Sequence, residues 1–162
     1  MKVITLHQPW AQLIVIGAKK YETRSWQTSH RGPILIHAGR KYMADCQRLS
    51  TLDPFFTCLY NAGFKPPALP LGAIVGMATI VDCQPTEKLT FDGLVTDQER
   101  QFGDFRDGRW AWRLESHRTF PVPIPHNGQR GVFDILDSQL PQEVLDMLPK
   151  ESTPESKAIC VD

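Results

Sequence analysis

The sequence contains no long apolar run, no leader-like N-terminus and no excess of charge of either sign. None of its apolar stretches reaches the roughly 18 residues that a membrane-spanning helix needs. The first residues, MKVITLHQPW, do not combine a basic start, an apolar stretch and a small-residue cleavage site, so they do not form a signal peptide. These absences predict a cytoplasmic protein with no membrane partner.

Cysteine and histidine lack the spacings of metal sites. Four cysteines occur without any CxxC pair, at Cys46, Cys58, Cys83 and Cys160. His30, His117 and His126 share no metal-ligand spacing. The chain also lacks GxGxxG, GxxxxGK[ST] and GxSxG motifs. We therefore expect reduced thiols, no metal and no cofactor.

The formal net charge is zero, which argues against a protein that coats duplex nucleic acid through many phosphate contacts. The total hides an asymmetry between the two parts of the chain. Residues 1–50 contain eight Lys/Arg and two acidic residues, a formal charge of +6, so residues 51–162 carry −6. A local basic surface in the first third would suit a few phosphates or one nucleotide.

The length and composition fit one soluble domain, since 41% of the 162 residues are hydrophobic and 22% are charged. We place this domain at residues 1–140, followed at 141–162 by a short helix and a frayed acidic tail. Six or seven short strands and two or three helices are indicated. They predict an α+β fold built on a small, mostly antiparallel β-barrel or curled sheet with the helices packed around it.

Local patterns place these elements along the chain. KVITLH predicts a strand, and a helix is expected from Pro9 to Ile16, ended by Gly17. The strand at Lys20–Trp26 is expected to pair with the next one, RGPILIHAG. GAIVGMATIVDC predicts a central strand, and FPVPIP an edge strand or polyproline-like run. Residues 84–108 are polar and poorly patterned and predict a loop, and its last segment, FGDFRDGR, is the part expected to be mobile and able to cover a ligand.

The segment GAKKYETRSW combines cations, an acid and an indole within ten positions. On a strand, Lys20, Glu22, Arg24 and Trp26 project from one face, where they could bind a polar aromatic ligand. The spacing alone also fits a solvated sheet edge whose ion pairs contribute only about 0–1 kcal/mol. Trp10 nearby could equally be a core residue at the start of its helix.

The residues LHQPWAQLIVIGAKKYETRSW and RGPILIHAG resemble the activating-signal-cointegrator homology (ASCH) domain. Its GxKxxExR signature is matched by Gly17, Lys19, Glu22 and Arg24. The resemblance extends through LPLGAIVGMATIVDC and RWAWRLESHRTFPVPIPHNGQRGVFDI, leaving out only residues 84–108 and the tail.

This resemblance implies a PUA-like barrel and a cleft, between barrel and helices, that binds RNA or a nucleotide. Single-stranded RNA, a nucleoside or a nucleotide is then the expected partner. The motif uses Lys19 in the turn, which makes Lys20 a surface residue and Trp26 a packing residue. The resemblance and the charge pattern together give the candidate ligand-binding residues Gln8, Trp10, Lys19, Glu22, Arg24, Arg31 and His37.

The resemblance also implies a hydrolase as an alternative, so the sequence leaves open whether the protein is an enzyme. Some small bacterial members act as amidohydrolases on acylated cytidine, using a lysine and a threonine of the motif with a further glutamate. The threonine position is Glu22 here, so the candidate catalytic pair is Lys19 and Glu22 acting as acid and base, on a modified nucleoside or as a ribonuclease. A protein-interaction module using the Pro-rich connector and the acidic tail is a third alternative.

Overall fold

The computed structural model describes residues 1–66 and 68–148 of the chain. Its strands are β1 (Lys2–Leu6), β2 (Tyr21–Arg24), β3 (Gly32–Ala38), β4 (Ala73–Pro85), β5 (Trp110–Pro125) and β6 (Val132–Asp134). Its α-helices are α1 (Trp10–Val15), α2 (Ala44–Leu49), α3 (Phe55–Asn61), α4 (Thr86–Phe91), α5 (Asp97–Phe102) and α6 (Gln142–Leu145), with a 3-10 turn at Asp137–Gln139. The predicted acidic tail, from residue 149 onward, and Cys160 lie outside the described residues.

The six strands form one curled, half-barrel sheet in the order β2-β5-β4-β3-β1-β6. All neighbouring pairs are antiparallel except β1 and β3, which run parallel with Thr5 opposite His37. The predicted α+β class with a mostly antiparallel sheet is confirmed. No helix in the described part of the chain combines the length and apolar character needed to cross a membrane.

The central strands are covered on both faces. Val3 and Leu35 belong to a cluster that includes Phe133 and Val144, whereas the next residues along each strand, Ile4 and Ile36, belong to a cluster on the opposite face. Because successive strand residues point to opposite faces, the near-continuous apolar runs of β1 and β3 require cover on both sides. Helix α1 covers one face of the central strands, and α6 together with the last strand covers the other face.

Helix α1 is buried because it lies between the sheet and α3. Gly17, which follows it, has a φ of +77°, a left-handed conformation that suits glycine at a helix end. Gly76 in β4 allows α1 and β5 to pack directly against the β4 backbone. A Cβ added there would meet the Arg118 carbonyl oxygen at 2.1 Å and Val15 Cγ1 at 2.7 Å.

The predicted hairpin between the motif strand and the next strand is wrong. β2 pairs with β5, with Tyr21 opposite Arg113, while both edges of β3 are taken by β1 and β4. The reason is burial. β3 is apolar on both faces and requires a central position, whereas the short, polar β2 is suited to the end of the sheet.

The expectation of a polar loop along all of 84–108 is wrong, because this stretch contains the end of β4 and helices α4 and α5, and only its last part, from residue 103, is an irregular connection to β5. Thr96 caps α5 by accepting a hydrogen bond from the Glu99 amide at 3.2 Å. The alternating prolines of FPVPIP lie in the second half of β5, beyond the residues that pair with β2. That half has β4 as its strand neighbour among the described residues, so proline's missing N–H removes no bond to a second strand.

Candidate functional site

The turn between α1 and β2 carries Lys19 into the interior. Its backbone amide donates to the Leu13 carbonyl at 3.0 Å, which closes the turn after the helix. The side chain is only 1% exposed, whereas the neighbouring Lys20 is exposed. The motif lysine is therefore a buried cation, and the lysine beside it is a surface residue.

The Lys19 ammonium lies among oxygen atoms. Nζ donates to the Tyr21 carbonyl and is 4.0 Å from Glu22 Oε2. Burial lowers the pKa of Lys19 below its usual value, although the negative charges of Glu22 and Glu99 act in the opposite direction. Lys19 consequently loses its proton at a lower pH than an exposed lysine does.

Glu22 and Arg24 lie on the same side of β2, two residues apart. Arg24 Nε is 2.9 Å from Glu22 Oε1, but the N–H does not point at the oxygen, so the contact is an ion pair and not an aligned hydrogen bond. Arg24 Nη2 also donates a long hydrogen bond of 3.4 Å to the Thr5 carbonyl. The row Lys19, Glu22, Arg24 thus alternates in charge along one wall.

This wall borders two adjoining cavities of about 310 and 330 Å³. Both are lined by Trp10, Glu22 and Thr23, so we treat them as one and call it the motif cleft. Lys19 lines the first part, together with residues 101–104. Arg24, Trp26 and Arg109 line the second part, next to residues 5–7 of β1 and the following turn.

Helix α5 and the residues after it form the wall opposite β2. Glu99 Oε1 accepts a hydrogen bond from the Lys20 amide at 2.6 Å, and burial raises the pKa of this carboxyl. The Asp104 amide donates to Thr23 Oγ1 at 3.1 Å. A hydrogen bond from Arg106, helped by the charge of Arg109, lowers the pKa of Asp104 to about 2. The segment thus brings Asp104 to the cleft lining and places the buried Glu99 near Lys19.

Two indoles border the motif cleft. Trp10 packs edge-to-face on Phe55 of α3 with ring centroids 6.3 Å apart. Trp26 packs edge-to-face on Trp112 at 4.7 Å, yet it is still 38% exposed. Trp26 is thus both a packing residue, as predicted, and part of the lining.

The structure brings Trp10, Lys19, Glu22 and Arg24 together, but it does not place the other candidates in this cleft. Gln8 is fully buried and structural, since its side chain accepts from the Gln12 amide at 3.0 Å and donates to the Pro70 carbonyl at 3.0 Å. Arg31 donates to the Thr28 and His30 carbonyls. His37 lines a different groove, described below.

The sequence reading missed Glu99 and Asp104 because it treated their segment as a loop. A usable signal was present: Thr96 and Glu99 form the S/T-x-x-E pattern that marks a helix start. Thr23 also lines the cleft, where its Oγ1 accepts the hydrogen bond from the Asp104 amide. Within the described residues, no group of three or more His, Cys, Asp or Glu side chains is arranged to hold a metal.

Sequence comparison gives a family and two named relatives. The ASCH domain family matches residues 4–107. Activating signal cointegrator 1 from Mus musculus and from Homo sapiens are each 28% identical over 153 residues, which cover 92% of this chain. The chain spans 24% of the length of these relatives.

Comparison of folds finds ASCH crystal structures from Zymomonas mobilis. One covers 91% of this chain and 95% of its own, with a TM-score of 0.53 and 15% identity. A variant of that protein covers 91% and 98%, with a TM-score of 0.54 and 16% identity. At this level of identity the likeness concerns the fold, which is α+β and PUA-like.

Proposed function

Because the chain belongs to the ASCH domain family, we propose that it binds RNA or a nucleotide-like ligand in the motif cleft. The observation that carries the proposal is the arrangement of Lys19, Glu22 and Arg24 along one wall of a cleft that also has two indoles at its border. These are the three charged positions of the family signature.

Each group in the cleft suits a part of a nucleotide. Arg24 is partly exposed and presents guanidinium donors that can bind a phosphate or a base oxygen. Glu22 can accept from an exocyclic amino group. The exposed edge of Trp26 and the ring of Trp10 offer surfaces for base contacts. The combination favours a ligand with an aromatic ring, hydrogen-bonding edges and negative charge.

Fluorescence anisotropy with labelled single-stranded RNA, and calorimetry with nucleosides and nucleotides, test the proposal at low salt. We expect binding by the native chain and weaker binding by Lys19→Ala, Glu22→Gln and Arg24→Ala. Lys20→Ala is the matched control, since it removes the same charge one position away, on the surface. Absence of binding to every one of these ligands would refute the proposal.

The buried Lys19 supports a second candidate, a hydrolase that acts on RNA or on a modified nucleoside. Its lowered pKa and its position 4.0 Å from Glu22 Oε2 suit a group that gives up and takes back a proton more readily than an exposed lysine does. In this hypothesis Lys19 and Glu22 act as acid and base.

Assays of RNA and acylated-cytidine turnover distinguish a protein that only binds its ligand from one that hydrolyses it. The hydrolase hypothesis requires that Lys19→Ala and Glu22→Gln abolish turnover while Lys20→Ala retains it. Activity that persists unchanged in the first two variants would rule out this pair as the catalytic residues.

A further inference from the structure

A second groove lies at the end of the sheet where β1 and β3 finish. Its volume is about 580 Å³, and the loop between β5 and β6 forms its other side. We call it the loop groove; its lining residues are Thr5, His37, Gly39, Arg40, Lys41, Asn127, Gly128, Gln129 and Arg130.

The loop groove is basic. Arg40, Lys41 and Arg130 are exposed, and no carboxylate is among the lining residues. None of the three cations forms an ion pair within the described residues. Arg40 Nη2 donates to Asn127 Oδ1 at 2.5 Å, which ties the cation to the loop. Three exposed cations in one groove, with no carboxylate among its described lining residues, favour an anionic ligand.

The floor of the loop groove is polar. His37 is fully buried, and its Nε2 donates to the His126 carbonyl at 2.9 Å. Because Nε2 carries the proton, Nδ1 is an acceptor, and neither it nor Thr5 Oγ1 has a hydrogen-bond partner among the described residues. Gly128 lies directly over them, since a Cβ there would be 2.8 Å from both atoms. The loop between β5 and β6 is therefore packed closely on the ends of β1 and β3.

The loop groove and the motif cleft adjoin each other. Thr5 lines both, and its carbonyl accepts the Arg24 hydrogen bond described above. The backbone also joins them, because the Gly39 amide in one groove donates at 2.8 Å to the carbonyl of Leu6 in the other. Arg40, Lys41 and Arg130 thus lie in the groove next to the cleft that Arg24 lines.

We propose that the loop groove binds the phosphate backbone of a single RNA strand, one nucleotide of which occupies the motif cleft. The inference rests on the proposed function and makes it more specific, because the ligand is then an oligonucleotide and not an isolated nucleoside. The cations hold successive phosphates, and the bond between His37 and the His126 carbonyl keeps the loop in position.

The test compares two double variants with equal loss of charge. Arg40→Gln/Arg130→Gln alters the loop groove, and Lys65→Gln/Arg118→Gln removes two exposed cations that line neither groove. Binding of an adenosine mononucleotide and of an RNA oligomer of about eight nucleotides is measured over a salt series. We expect the first variant to bind the oligomer about tenfold more weakly, with a salt slope smaller by about 1.4 for two phosphates, and to bind the mononucleotide as the native chain does.

The affinities for the oligomer and the mononucleotide distinguish three outcomes. Equal oligomer affinity and salt slope in the two double variants would overturn the inference while leaving cleft binding intact. If the native chain binds neither probe, the proposed function itself fails. Selective weakening of the oligomer in Arg40→Gln/Arg130→Gln supports the inference.

Gly128→Ala is an independent test that leaves the charge unchanged. The new Cβ would approach His37 Cε1 at 2.7 Å and must displace the loop. We expect weaker oligomer binding with mononucleotide binding retained. Undiminished oligomer binding in a variant whose loop is displaced would count against this groove.

Discussion

The carboxylate of Glu99 accepts a hydrogen bond from the backbone amide of Lys20 at 2.6 Å. This contact joins α5, on one side of the motif cleft, to the turn that carries Lys19 on the other. It also places a second carboxylate near the Lys19 ammonium, where Glu99 and Glu22 both favour the charged form of the lysine. The cleft is therefore held at its base by a contact between its two walls.

Replacing Glu99 should loosen this connection. Glu99→Ala leaves the Lys20 amide without its acceptor, and we expect the free energy of unfolding to fall by about 1–3 kcal/mol. Glu99→Gln keeps an oxygen that can accept from this amide, so its free energy of unfolding should fall by less. Urea denaturation measures the difference, with Arg100→Ala, an exposed change on the same helix, as the control. Equal stability of Glu99→Ala and Arg100→Ala would contradict the assigned role.

Ligand binding should depend on pH through Lys19. A lowered pKa means that the ammonium is lost as the pH rises, before the ordinary value of 10.5 is reached. Affinity for an oligoadenylate, whose bases do not titrate in the alkaline range, should therefore decline as the pH rises toward 10.5 in the native chain and in Lys20→Ala. In Lys19→Ala the affinity should be lower and this alkaline decline absent. An unchanged decline in Lys19→Ala would assign the titration to another group.

Gly103 controls the space around the Lys19 ammonium. A Cβ at this position would be 3.1 Å from Lys19 Nζ and 3.0 Å from Phe105 Cε2. We expect Gly103→Ala to displace the ammonium and to weaken mononucleotide binding severalfold, while the unfolding midpoint changes little. Gly39→Ala is the control, because its Cβ would meet the nearest atom, the Leu6 carbonyl oxygen, at an ordinary 3.5 Å. Equal affinity in the two variants would show that the ammonium has room to move.

Gly76 should be intolerant of any side chain. Its Cβ would lie 2.1 Å from the Arg118 carbonyl oxygen and 2.7 Å from Val15, so β4, β5 and α1 would have to separate. Overpacking of this kind costs about 1–3 kcal/mol or more, and Gly76→Ala should lower the unfolding midpoint in urea by a corresponding amount. Gly39→Ala again serves as the comparison. A Gly76→Ala protein of native stability would mean that these layers are less tightly packed than described.

The sequence predicted the α+β class, the central position of β4 and the identity of the motif residues. It did not predict which strand pairs with β2, because pairing depends on burial across the whole sheet and not on neighbourhood in the chain. The Pro-rich half of β5 was interpreted correctly as an edge, since the missing N–H of proline is a local property. Properties that depend on neighbouring residues were thus predictable from the sequence, whereas the pairing of distant strands was not.

The candidate site shows the same difference between residues that the local sequence identifies and residues that only long-range packing brings in. Lys19, Glu22 and Arg24 follow from the signature, and Trp10 follows from its place beside the first turn. Glu99 reaches the Lys20 amide, and Asp104 reaches the cleft, only through the packing of α5 and the following residues against β2 and the turn before it, about 80 positions away in sequence. His37 was selected as a candidate, but its register opposite Thr5 puts it in the loop groove and not beside Lys19.

The place of β2 at the end of the sheet has a consequence for how the protein acquires its site. Within the described part of the chain, β2 pairs with β5, so Tyr21 finds its partner only when Arg113 is available. Closing so long a loop is slow, because its entropic cost is met before the contacts form. During synthesis the motif residues thus emerge early, but β2 cannot pair until β5 has also been synthesised. The motif cleft is a late product of folding, and a chain that ended before β5 would contain the whole signature but could not assemble the cleft.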